Sequence, residues 1–466
     1  VASASATANA GSALEVNVGA DIEKALVDVP EVVDRARFGP YALMVSALTT
    51  LALVFDGFDI QAIAFAAPKL MSDWAIDRSQ LAPILAAGLL GMFVGALALG
   101  VVGDRYGRRR ALLGSMALMA GASLLAATAD GPGPLATYRF LTGLGLGGAL
   151  PNAAALMVEF APLAVRTVVV AITVVGVPIG GMFGAAVAAR LVPAYDWPSI
   201  FVLGGVLPGV LLLVMAWLLP ESPQYLARHP ARATELADIL NRVLGERRYD
   251  GSERFRNRDV SAGADRAGPL ALFNAEHRRE TLVIWLIFFT NVFTVYCFFS
   301  WTPTVLTGAG LSLATALRGL LLFNLGGVVG SLLGAWWMGR VGSRPVLLAF
   351  AGGAALATLA LGWVEATPED NLALMACLLI AGACISGLQV QMYTVAASAY
   401  PTELRATGVG WALGTARLGG VLSAFAGSVV QTLGSGLKPF FTGIALVIVA
   451  TFTGIALLKR HLPPRR

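Results

Sequence analysis

Residues 41–68 read YALMVSALTTLALVFDGFDIQAIAFAAP, an apolar run broken only by Asp56 and Asp59. The run exceeds the roughly 20 apolar residues that a helix needs to cross a bilayer. A carboxylate at the centre of such a helix costs about 2.5–3.5 kcal/mol on insertion scales, so a partner or a function must offset it. Three residues apart, the two acids share a helix face. Two like charges that close disfavour double ionisation, which suits the element to taking up and releasing a proton.

The rest of the chain is built alike. Of 466 residues, 57% are hydrophobic and 13% charged, and the mean hydropathy is +0.73. This is the composition of a polytopic, all-α membrane protein. Twelve spans are predicted, at 42–66, 80–102, 110–129, 134–158, 166–190 and 198–219, then at 281–306, 314–338, 344–364, 371–398, 406–432 and 438–459. With the N-terminus inside, the outer loops carry only Lys69, Arg78, Arg190, Arg318 and Lys438, while most other Lys and Arg fall on inner segments. The positive-inside rule therefore puts both termini and the 220–280 segment in the cytoplasm. It also accounts for the net charge of +5 without a nucleic-acid partner. Residues 1–20 are rich in Ala and Ser and expected to be disordered; they lack the pattern of a cleaved signal. Residues 21–37 are expected to form a short surface helix. Cys297, Cys377 and Cys384 sit in or near spans and have no metal or disulfide spacing.

The two halves repeat. Pro162 and Arg166 match Pro401 and Arg405, and Gly180-Gly181 match Gly419-Gly420, at one common offset. The stretch from Gly103 to Arg109 is echoed by that from Met338 to Arg344. Six spans per half imply two pseudo-symmetric bundles around a central site near the midplane. The expected division is an N-terminal segment 1–40, bundles 41–219 and 281–460 joined by the 220–280 linker, and a tail 461–466.

Gly100 to Arg109 matches the G-x-x-x-D-R-x-G-R-R signature, so the chain resembles the major facilitator superfamily. Four further elements narrow the resemblance to its aromatic acid:proton symporter family. They are Asp56-Gly57-Phe58-Asp59, the run from Tyr138 to Gly145, Ser300-Trp301-Thr302-Pro303-Thr304, and the run from Tyr400 to Trp411. The resemblance covers about residues 35–460. It departs at Gly339, which stands where the first half has Asp104. Pro220-Glu221-Ser222-Pro223 also resembles sugar porters, and Gly176 to Gly181 resembles the glycine motif of antiporters with its spacing one residue short.

Only Asp56, Asp59, Arg139 and Arg417 are charges well inside spans. His229, His277 and His461 lie on cytoplasmic segments, so a carboxylate is expected to carry any coupled proton, with Asp59 slightly favoured over Asp56. Arg139 reads either as a structural partner of the acids or as a switch that releases one on protonation. The resemblance implies the switch. Arg417, in the other bundle, suits a substrate carboxylate because its fork binds one bidentately. An aromatic acid also needs flat walls and a few polar contacts. Candidates are Phe58, Asn291, Tyr296, Trp301, Asn324, Gln389, Gln391 and Tyr393; alternate positions diverge around a helix, so the last three cannot all point inward. At the cytoplasmic face Asp104, Arg105, Arg108 and Arg109 read as a gate, with Asp104 expected at a helix N-terminus. Glu159 and Arg166, and Glu403 and Arg405, flank the related 4–5 and 10–11 loops.

The resemblance implies a monomeric, proton-driven importer of benzoate-like or hydroxybenzoate-like acids in a bacterial inner membrane, with the proton as coupling ion and no other cofactor. A sugar or polyol porter, an effluxer and a receptor that binds without transport are the rivals. No nucleophile–base pair or metal cluster lies within the spans, which disfavours an enzyme.

Overall fold

The computed structural model describes residues 26–257, 272–274, 277–364, 367, 371–433 and 436–463. Twelve long helices dominate. The first six are α1 (Pro40–Trp74), α2 (Arg78–Tyr106), α3 (Arg108–Ala126), α4 (Pro132–Phe160), α5 (Arg166–Tyr195) and α6 (Pro198–Leu218). The second six are α7 (Arg278–Gly308), α8 (Leu313–Val341), α9 (Ser343–Leu361), α10 (Leu372–Ala399), α11 (Thr402–Ser423) and α12 (Leu437–Leu457). Local chemistry sets their starts. Pro40, Pro132 and Pro198 occupy first turns, where a missing N–H is harmless. Asp77 and Gln80 form a reciprocal capping box ahead of α2, and Ser312 accepts from the Thr315 N–H at 3.1 Å ahead of α8.

Among the described residues, ten helices are long and apolar enough to cross a bilayer by themselves, and α3 is not one of them. The first turn of α3 is Arg108-Arg109-Arg110, and this helix is held in place by packing on α4 and α6. Two expected boundaries shift. The first helix continues past Pro68 to Trp74, its last turns carrying a Lys69–Asp73 ion pair. The eleventh span is not continuous: it stops at Ser423 and resumes over Ala426–Leu433. The Ser423 carbonyl at this break accepts from the Trp301 indole N–H at 3.1 Å.

The repeat is visible in the backbone. Gly107 and Gly342 lie between α2 and α3 and between α8 and α9, with φ of +108° and +86°. Only glycine adopts such angles readily. Within each half, α2 packs on α4 and α1 on α5, mirrored by α8 on α10 and α7 on α11. Between halves, α5 meets α8, α2 meets α11, and α1 meets α7.

The apolar packing divides unequally. On the side away from the chain ends, one cluster is shared by both bundles, joining Phe58, Phe65 and Phe201 to Phe298, Trp301 and Phe441. On the side of the chain ends there are two separate large clusters, beside a small one at Met157, Ala161 and Val169. One holds Val45, Met116 and Met215 of the first bundle; the other holds Ile284, Leu347 and Ile455 of the second. The bundles are thus joined at one side and packed independently at the other.

The linker is more than a tether. Leu26–Asp28 and Arg254–Arg256 pair as a two-stranded parallel ladder, the one sheet among the described residues. A helix over Val29–Arg35 is capped by Asp28, and the linker helix Ala233–Leu244 buries Leu236, Leu240 and Val243 in the first bundle's own cluster.

Candidate functional site

The midplane chemistry starts on α1, where Asp56 and Asp59 are buried to 2% and 0% exposure. Their surroundings differ. Arg139 of α4 donates from Nη1 to the Asp59 carboxylate at 2.9 Å and from Nη2 to the Asp59 backbone carbonyl at 3.1 Å. The Ser123 hydroxyl of α3 donates to the same carboxylate at 3.1 Å, and the Phe201 ring of α6 lies 5.9 Å from the guanidinium. Asp59 thus ties three helices of one bundle together, and Arg139 adds α6 through the Phe201 ring. Asp56 is the reverse case: its Oδ1 is buried with no hydrogen-bond partner among the described residues. A buried polar atom left in that state is costly.

What faces Asp56 comes from the other bundle. Arg417 of α11 is in electrostatic reach of Asp56, and Tyr296 of α7 is in reach of both. Tyr393 of α10 adds to this group, its hydroxyl accepting from Gln389 Nε2 at 3.3 Å and its ring lying 5.6 Å from Phe288. The second bundle thus brings the Arg417 cation and the Tyr296 phenol into electrostatic reach of Asp56, with Tyr393 in reach of Tyr296. Close by, a cavity of about 10 Å³ is lined by Arg139, Gly88, Ile60 and Leu89 of the first bundle and Ser300 of α7. That is room for a single water. Arg139 Nε has no partner among the described residues.

The position of α1 is set by α5. A Cβ on Gly57 would collide with the Val177 carbonyl, and one on Gly180 with the Val54 carbonyl. The two backbones are in contact, and α1 and α5 must move as one body.

The other predicted substrate contacts have the following surroundings. Phe58 packs on Phe65 and Phe183. Trp301 is fully buried and occupied with the Ser423 carbonyl. Gln391 donates to the Ser331 carbonyl at 3.0 Å and ties α10 to α8. Asn324 is engaged by Gln61 across the bundle interface. Asn291 is buried with its amide nitrogen unpartnered among the described residues.

At the side of the chain ends, Asp104 pairs with Arg108 one turn on, and Arg105 lies over the Tyr106 ring at 5.5 Å. The carboxylate at the N-terminus of α3 is not Asp104, as expected, but Glu221. It accepts from the backbone N–H of Arg109 at 2.9 Å and from that of Ser222 at 2.9 Å. Asp104 is still on the last turn of α2, so its side chain reaches Arg108 rather than the amides beyond the turn. Glu159 accepts from the Ser222 hydroxyl and Arg166 pairs with Asp34. The side chains of Glu403 and Arg405 lie outside the described residues.

Sequence reasoning passed over Gln61, Ser123, Asp34 and Glu221. Gln61 carried a usable signal, an amide in an apolar helix, the same signal that singled out Gln389. Glu221 stood in a quoted motif but was taken only as a likeness to sugar porters.

The Major Facilitator Superfamily sequence model matches residues 49–424. A gallate transporter of Pseudomonas putida is 35% identical over 430 residues, spanning 92% of this chain and 94% of that one. A 4-hydroxybenzoate transporter of Acinetobacter baylyi is 34% identical over 444 residues, spanning 94% and 95%. Among solved structures, the xylose transporter of E. coli in a partially occluded, inward-open form superposes with a TM-score of 0.67 at 16% identity, covering 89% of this chain and 97% of that one. Twelve helices in two repeated halves, charges facing one another between them, and relatives matched along nearly their whole length lead to one conclusion: the chain belongs to the major facilitator superfamily.

Proposed function

We propose that this protein imports aromatic carboxylates together with protons, acting as a monomer in a bacterial inner membrane with both termini in the cytoplasm. One observation carries the reading. Arg417 and Tyr296 on one bundle are in electrostatic reach of Asp56 on the other, whose Oδ1 has no hydrogen-bond partner among the described residues. With no substrate, Asp56 serves as the counter-charge of Arg417 whenever it is ionised. A substrate carboxylate takes that place, its two oxygens matching the guanidinium fork. Asp56, displaced, then takes up a proton, and the phenol rings of Tyr296 and Tyr393 flank the substrate ring. Asp59 stays held by Arg139. Asp56 is therefore the better candidate for the exchangeable proton, against the slight preference for Asp59 drawn from sequence. One proton with one monoanion is electroneutral; each further proton adds about 2.3 kcal/mol of drive per 100 mV.

The names of the relatives, gallate and 4-hydroxybenzoate transporters, support the substrate class. The test is uptake of labelled 4-hydroxybenzoate into proteoliposomes under an imposed pH gradient. The expected result is accumulation that a protonophore collapses and that benzoates, but not xylose, compete away. Xylose competition would favour the sugar porter, accumulation in the opposite direction the effluxer, and binding without flux the receptor. Arg417→Ala is expected to weaken carboxylate binding by about 1.5–3 kcal/mol, the range for a charged hydrogen bond, and to spare the matching amides. Equal loss for acid and amide would remove Arg417 as the anchor.

A further inference from the structure

Gln61 and Asn324 stand 263 positions apart in sequence, one on α1 and one on α8. Gln61 Nε2 donates to Asn324 Oδ1 at 3.1 Å, and Asn324 Nδ2 donates to Gln61 Oε1 at 3.0 Å. Both side chains are buried, at 0% and 1% exposure. Asn324 Nδ2 is fixed further by the Leu320 carbonyl at 2.9 Å. Gly181 of α5 completes the arrangement, since any side chain there would run into the Gln61 amide.

We infer that this amide pair is the positioning contact that keeps the two bundles closed on the side away from the chain ends, and that its strength sets how readily that side opens. Opening there must part α1 and α5 from α8, because the backbones of α1 and α5 are locked together. The pair crosses that boundary. Buried, the two amides satisfy each other; parted, each is exposed to water. Such a contact favours one closed geometry and is broken at little cost once solvent enters, as a gate requires. Gln61 is two residues from Asp59, so release of the pair also lets the acid-bearing helix shift against α7 and α11. The inference holds whatever the substrate is.

The logic of unmatched polar groups gives the test. Removing one amide leaves the other buried and unsatisfied in the closed state only. Removing both leaves an apolar contact that costs little. Spin labels on Ser72→Cys and Ala309→Cys, exposed at the far ends of α1 and α7, report the gap by pulsed dipolar spectroscopy. The full-length chain is reconstituted in lipid, its native cysteines replaced by alanine. Gln61→Leu and Asn324→Leu are each expected to raise the open-to-closed ratio about tenfold, the factor for one unsatisfied group. The double Leu variant is expected to return towards wild type, and the exchange Gln61→Asn with Asn324→Gln to stay near it. Unchanged ratios in both single variants, or additive shifts in the double, would overturn the inference. Should the single variants not fold, Gly181→Ala decides. It keeps both amides but pushes them apart, so an increased ratio supports the latch and an unchanged one refutes it.

Discussion

Replacing Arg139 by methionine isolates the energetics of the buried pair on which the first bundle is built. In the native protein Asp59 receives two bonds from Ser123 and Arg139, while Arg139 also holds the Asp59 carbonyl. Arg139→Met keeps the length and apolar stem but leaves Asp59 with the Ser123 hydroxyl alone, at 0% exposure. Breaking a buried pair from one side costs about 3–5 kcal/mol, which lowers the folded-to-unfolded ratio by roughly 140- to 3,700-fold at 1.4 kcal/mol per decade. Replacing both members by uncharged groups is close to neutral in comparable sites. The double variant Asp59→Asn with Arg139→Met is therefore expected within about 1 kcal/mol of wild type. Reversible unfolding in mixed micelles, followed by tryptophan fluorescence, measures both. Arg139→Met should unfold at much lower denaturant and the double variant close to wild type. Equal stability of Arg139→Met and wild type would refute the reasoning, as would a double variant no better than the single one.

Three further outcomes follow from local geometry. Gly57→Ala should cost about 1–3 kcal/mol, the usual range for overpacking, and slow transport, since its methyl meets the Val177 carbonyl; an unfolding midpoint and uptake rate equal to wild type would count against the locked α1–α5 pair. Gly107→Ala puts a side chain at φ +108° and against the Glu221 carboxylate, for which about 1–3 kcal/mol is expected from backbone strain; thermal unfolding checks it. His461 is pushed below the ordinary histidine range, first by burial, with Arg344 adding to the effect and the Leu458 carbonyl and Glu280 opposing it. A depressed histidine favours the folded form while neutral, so its contribution is full above about pH 6.5 and declines as pH falls through the lower folded value. Amide exchange at Ser343 and Leu462, which the tail contact protects, should quicken below pH 6.5 in wild type and not in His461→Gln.

The spans and the repeat were legible because a bilayer leaves few alternatives: an apolar run of the right length must be a helix. That Asp56, Asp59, Arg139 and Arg417 are the charges to be accounted for was legible for the same reason, since charge in lipid is costly. Their pairing was not. Which acid Arg139 holds depends on the rotation of α1 against α4, and spacing along one helix does not give that angle. That Asn324 bonds to Gln61 was not legible either, because the two stand on different bundles. The break after Ser423 was hidden because the run Val421–Val430 carries no proline or charge to mark it. Glu221 took the place expected of Asp104 because the chain after α6 folds back onto α3, a long-range event with no periodic signal.

The folded linker has a practical consequence for measurement. Its helix Ala233–Leu244 and the ladder formed with Leu26–Asp28 ride on the first bundle, whereas the tail at His461 and Leu462 is fastened to Ser343 on the second. Each bundle thus carries its own built-in flag on the same face of the membrane. A donor dye on the linker helix and an acceptor on the tail would form a ruler whose reading changes only when the bundles rock, and a dye at the N-terminal strand would serve as its stationary control.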